Sequence, residues 1–155
     1  TGSLARMAAK CGAILGGANE KKAKLLGNYA ASIGVAFQIQ DDILNIMPSS
    51  GKWGKELGED ISEGKRSLLV VYALNNSDAA KAKRLSEILA LRTSEKEQIL
   101  EAIEIIKESG AVEYAERKAQ SIIKSSWLKV EKELPKSKAK NLLKSFGDYL
   151  IIRKI

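Results

Sequence analysis

Ile33-Gly-Val-Ala-Phe-Gln-Ile-Gln-Asp-Asp-Ile-Leu-Asn-Ile-Met47 sets two adjacent carboxylates, Asp41 and Asp42, inside an apolar run. The apolar residues recur at the helical period, and the pattern extends back to Asn19 and forward to Pro48. Residues 19–47 therefore read as one long helix. On it Gln38, Asp41 and Asn45, three and four apart, share a face, while Asp42 points roughly 100° away. Taking a charge out of water is costly unless something pairs with it, and neighbouring carboxylates repel each other. The run thus calls for a cation. With no Cys or His nearby, oxygen ligands point to a hard ion such as Mg²⁺. The chain has no histidine at all, which excludes a His-based triad or a His–metal site. An aspartate pair alone also fits a solvated kink or a pair held by lysines. The apolar surroundings and the segment that follows favour the metal.

That segment is Gly51-Lys-Trp-Gly-Lys-Glu-Leu-Gly-Glu-Asp60-Ile-Ser-Glu-Gly-Lys65-Arg66. Lys52, Lys55, Lys65 and Arg66 offer cationic point charges to a phosphate, and the glycines let the backbone approach an anion closely. Residues 48–59 read as a loop with Trp53 as a packing anchor. Asp60-Ile-Ser-Glu63 has capping-box spacing. Asp60 is either a simple N-cap or a carboxylate facing Asp41 across the loop. Carboxylates for a metal beside lysines for an anion suggest a metal–diphosphate site.

Outward from this centre the chain reads as all-α, with about seven helices in a single domain, 1–155. Residues 3–16 form a small-residue helix. Others run through Leu68–Leu74, Leu85–Leu91 and Ile99–Ile106, the last begun by a second capping box, Ser94-Glu-Lys-Glu97. A long stripe follows through Val112, Ala115, Ala119, Ile122, Ser126 and Val130, with Ile123 and Trp127 beside it, and a last helix carries Leu142, Phe146 and Tyr149. The single cysteine, Cys11, rules out an internal disulfide and reads as a small buried thiol. The net charge of +7 is uneven: residues 117–155 hold +8 and residues 1–116 hold −1. The basic end reads as a solvated lysine face, so nucleic acid is not an expected partner. No apolar run approaches the roughly 18 residues of a membrane span, and no signal peptide is present, so a cytoplasmic protein without a transmembrane segment is expected. A start at Thr1 suggests a fragment.

The order Gly-Val-Ala-Phe-Gln-Ile-Gln-Asp-Asp-Ile-Leu-Asn, a loop, then Gly-x-Asp-Ile-x-x-Gly-Lys-Arg-Ser-Leu resembles the second aspartate-rich region of the trans-isoprenyl diphosphate synthases. These are the farnesyl, geranylgeranyl and polyprenyl diphosphate synthases. Thr1-Gly-Ser-Leu resembles a Lys-Thr-Gly-x-Leu segment of the same family. The likeness is strong over residues 1–75 and weaker beyond. It implies the C-terminal portion of an isoprenoid-synthase-type helical bundle. It also implies a Mg²⁺-dependent prenyltransferase that condenses isopentenyl diphosphate with an allylic prenyl diphosphate, usually as a homodimer. By the resemblance, Asp41 is a Mg²⁺ ligand and Asp42 a second metal residue acting through water. Asp60 lies in the metal's outer shell, and Lys65 binds diphosphate, with Lys55 a looser match. Phe37 and Gln38 line the allylic site, and Thr1 belongs to the lysine–threonine pair. Asp41, Asp42 and Lys65 are the expected catalytic residues. The tail Ile152-Arg-Lys-Ile155 resembles one that closes over the homoallylic substrate.

Three departures stand out. Asn45 replaces the usual third aspartate, the lysine before Thr1 is absent, and so is the first aspartate-rich motif with its arginine pair. These lead to the expectation that the chain is the C-terminal half of a synthase, inactive alone, with apolar surface on the 19–47 helix left open to self-association. The alternative is a non-catalytic regulatory or partner subunit related to the synthases.

Overall fold

A computed structural model describes residues 1–47 and 57–152, with side chains through Leu150. Among these residues it holds eight helices and no strand: α1 Gly2–Leu15, α2 Glu20–Ile46, α3 Glu59–Ser62, α4 Leu68–Asn76, α5 Ala79–Leu91, α6 Lys96–Glu108, α7 Ala111–Glu131 and α8 Lys138–Ile152. The element beyond the expected seven is the single turn α3. No described helix is long and apolar enough to cross a membrane. Lys52, Trp53, Lys55 and the Arg153–Ile155 end of the tail lie outside the described residues.

The chain forms two compact units. The first takes the described residues of 1–40 and 117–154, that is α1, most of α2, most of α7, and α8. Its centre is Tyr29, whose ring packs 5.3 Å from that of Trp127 and whose hydroxyl donates to the Leu143 carbonyl at 3.3 Å. Burial, and then the negative charge of Asp148, push the Tyr29 hydroxyl up to about 12. Ala23, Ala31, Ile33, Ala36 and Ile39 are also buried along α2. α1 lies close against α2: a Cβ on Gly34 would sit 2.6 Å from the Gly2 Cα, so the approach requires glycine.

Two sequence expectations change here. Cys11 is exposed, not buried. No residue of α1 is buried, and Leu4, Met7, Ile14 and Leu15 are all open. Its apolar side chains occupy a face that nothing else among the described residues covers, and Cys11 is open with them. In α7 the buried line runs through Ile123 and Trp127, with Ile122 and Ser126 half-buried beside it. The bulk of the tryptophan ring, packed on Tyr29, decides which of two adjacent stripes turns inward.

The second unit spans 41–116. Here α4, α5 and α6 pack on one another, and α3 packs on α5 and α6. Leu69, Val70, Ala73, Leu85, Ile88, Ala102, Ile103 and Ile106 fill the core. Tyr72 and Tyr114 stack with centroids 4.3 Å apart. Neither expected capping box forms. The Asp60 carboxylate turns toward Lys65, and α4 starts instead at Ser67, whose hydroxyl accepts from the Val70 N–H. α6 starts after Glu95 with no side-chain cap, the turn before it being held by Thr93 Oγ1 accepting from the Glu95 N–H at 3.0 Å. Box spacing offers a geometry, and the Asp60 carboxylate is taken up by Lys65 instead.

Candidate functional site

The last turn of α2 leaves backbone carbonyls without intrahelical partners, as any helix end does. The Asn45 carbonyl accepts from the Gly58 N–H at 2.8 Å. The Asn45 side chain reaches the same strand of chain: its Oδ1 accepts from the Asp60 N–H at 3.1 Å. Gly58 is the N-cap of α3 and has φ +77°. An L-residue there is strained, and its Cβ would collide with a methyl of Ile99 on α6. Glycine thus makes the turn but brings no capping side chain, and α3 takes its cap from Asn45 across space. Sequence reading placed Asn45 on the metal-facing side and missed this role. The only local hint is a helix start, Gly58, with nothing to cap it.

α3 carries Asp60, and the chain reverses at Gly64, where the Lys65 N–H donates to the Asp60 carbonyl at 2.8 Å. The reversal brings the Lys65 ammonium between two carboxylates. It donates to Asp60 Oδ2 at 2.7 Å and to Asp42 Oδ1 at 2.9 Å. Asp42 is 6% exposed, so this is a charge removed from water and answered by an ammonium. Burial works against the charge on Lys65, but hydrogen bonds to Asp60 and Asp42 outweigh it and hold the ammonium's pKa well above the ordinary lysine value.

Asp41 is half-buried, one residue from Asp42 on α2. The side chains of Asp41, Asp42, Asp60 and Lys65 sum to −2. Of the three aspartates read as metal residues, Asp42 and Asp60 share the lysine. Among the described residues no group of three or more His, Cys, Asp or Glu side chains is arranged to hold an ion. In the first unit, Thr1 Oγ1 donates to Gln38 Oε1 at 3.1 Å, which joins two of the residues read as substrate-binding. Phe37 beside them is half-buried. Lys55 lies outside the described residues.

A family model, Polyprenyl synthetase, matches residues 1–106. A short chain isoprenyl diphosphate synthase of Methanocaldococcus jannaschii is 44% identical over 115 residues, which is 74% of this chain and 35% of that protein. The crystal structure of geranylgeranyl pyrophosphate synthetase from Pyrococcus horikoshii superposes with a TM-score of 0.85 at 33% identity, over 99% of this chain and 46% of that one. A geranylgeranyl pyrophosphate synthase from Corynebacterium glutamicum, crystallised with isoprenyl diphosphate and magnesium, gives a TM-score of 0.82 at 25% identity, over 92% of this chain and 41% of that one. The chain spans less than half the length of each of these proteins.

Proposed function

The chain belongs to the polyprenyl synthetase family, and on that premise we propose that it is the C-terminal half of a Mg²⁺-dependent prenyltransferase that joins isopentenyl diphosphate to an allylic prenyl diphosphate and releases diphosphate. The observation that carries this reading is the Lys65 ammonium held between Asp42 and Asp60. A lysine fixed by two carboxylates keeps its charge, and a fixed cation is what a departing diphosphate needs.

The residues present fit the metal in a limited way. The donors are all oxygen, which suits Mg²⁺, an ion that is commonly bound through one or two carboxylates with substrate phosphates and waters completing the shell. Asp41 is the candidate direct ligand. Asp42 and Asp60, engaged by Lys65, would act from the outer shell. When bound, Mg²⁺ would stabilise negative charge on the diphosphate.

The chain's own contribution is then electrostatic and positional. Lys65 holds a positive charge beside the leaving diphosphate. Asp42 and Asp60 keep that ammonium in place and charged. Gln38, hydrogen-bonded to Thr1, is a substrate-binding residue of the proposal by its place in the motif. The released diphosphate takes the proton lost from the coupled product, so no side-chain base is required. A homodimer in the cytoplasm is part of the proposal.

The test is turnover in the full-length synthase carrying this segment, with radiolabelled isopentenyl diphosphate, geranyl or farnesyl diphosphate and Mg²⁺. Elongated product, reduced on the order of a hundredfold by Asp41→Ala, supports the proposal. A well-folded wild type that makes no product with any primer removes it and leaves the partner-subunit reading, which Asn45 at the third-aspartate position favours.

A further inference from the structure

We infer that Asn45 is a positioning residue of this site, and that its amide oxygen, not a charge, is what the position requires. The inference rests on Lys65 being a diphosphate-binding lysine, as proposed above. By its place in the motif, Asn45 would count as a lost metal ligand. The geometry gives it different work. It is 5% exposed and makes two contacts with the chain that returns from the loop: its carbonyl takes the Gly58 N–H and its Oδ1 takes the Asp60 N–H. The second bond falls on the N–H that an N-cap side chain ordinarily satisfies. Gly58 cannot supply that oxygen, and a residue that could would drive its Cβ into Ile99.

From Asn45 the connections run in one direction. Asn45 fixes the Asp60 backbone, the Asp60 carboxylate fixes the Lys65 ammonium at 2.7 Å, and Lys65 closes on Asp42 at 2.9 Å. Asn45 and Asp42 stand on adjacent turns of the same helix, so a single rigid element sets both ends of the chain of contacts. Asparagine and aspartate present the same acceptor oxygen at the same reach. Either residue caps α3. An aspartate would add a carboxylate beside those of Asp42 and Asp60, and the amide gives the cap without that like-charge repulsion.

Two variants separate the roles. Asn45→Leu keeps the volume and removes the acceptor, while Asn45→Asp keeps the acceptor and adds charge. In this chain, amide hydrogen exchange followed by NMR reports the cap directly. The Asp60 amide is expected to be protected in the wild type and in Asn45→Asp, and to lose protection in Asn45→Leu. In the full-length synthase, Asn45→Leu is expected to lower kcat/KM for the allylic diphosphate by roughly tenfold to a hundredfold, with KM for isopentenyl diphosphate little changed. Asn45→Asp is expected to restore turnover to the wild-type level. An unprotected Asp60 amide in the wild type overturns the proposal. So does full activity in Asn45→Leu, or an Asn45→Asp enzyme that gains activity together with tighter Mg²⁺ dependence, the behaviour of a restored ligand. If Asn45→Leu does not fold, the wild type against Asn45→Asp still decides between these. A wild type without turnover fails the prenyltransferase reading, and the exchange experiment alone then decides the cap.

Discussion

Lys65 and Arg84 both serve carboxylates in the second unit, and their contacts are nearly the same length. Lys65 reaches Asp60 and Asp42 at 2.7 and 2.9 Å, and Arg84 reaches Glu101 through two bonds of 2.8 and 2.6 Å. By geometry the arginine pair is the better one, a bidentate fork. By setting it is the weaker: the Glu101 side chain is 42% exposed, that of Asp42 only 7%. Water and salt already solvate Glu101, so its partner adds little. Asp42 has lost most of its water, so its partner answers a desolvated charge. Proximity of opposite charges therefore does not rank these clusters. The solvent each carboxylate has given up does.

The largest expected effect is from Lys65→Met. It leaves Asp42 and Asp60 without their ammonium and is expected to destabilise the fold by about 3 kcal/mol, measured by urea unfolding. If Arg84→Met costs as much, the comparison fails. Gly58→Ala touches no charge but strains the turn and collides with Ile99, and it is expected to cost about 2 kcal/mol. A smaller loss means that the frame under Asp60 yields and that the ion pairs alone hold it.

Alkaline pH sharpens the contrast by titrating it. Lys65 binds its proton more tightly folded than unfolded, so its contribution is full below the ordinary lysine value of 10.5 and is lost as pH rises through the higher folded value. Tyr29 in the first unit acts in the same direction, between 10.0 and about 12. Unfolding free energy is thus expected to fall as pH climbs past 10, and Tyr29→Phe is expected to remove the first part of that slope. A slope unchanged in Tyr29→Phe shows that the hydroxyl ionises alike in both states. The smallest effect is expected from Arg84→Ala. Arg84 lowers the pKa of Glu101, so the pair's contribution is present above the ordinary value of 4.5 and lost as pH falls through the lower folded one. Exposed as both partners are, no resolvable change in the unfolding midpoint is expected at neutral pH, and a clear drop there would raise the surface pair to the rank of the buried one.

Helices were the legible part of the sequence because their signal is local. Apolar spacing placed α2 to within a residue at each end. Capping boxes were read less well. Asp60 and Ser94 have the right spacing, but spacing does not reveal a lysine five residues on that takes the Asp60 carboxylate, or a helix whose N-cap is Glu95, one residue after Ser94. Cys11 departs from expectation for a related reason: small apolar neighbours describe what a helix can bury, and among the described residues none covers that face of α1.

Periodicity and ordered motifs are properties of the chain alone, and they carry the all-α class, the family and the residue types that could meet a diphosphate. That Lys65 answers Asp42 and Asp60, and that Asn45 caps a helix beginning at Glu59, appears first in the folded molecule. These assignments depend on which side chains lose their water together, and that is fixed when α2 and α3 are brought into contact, not by any spacing along the chain.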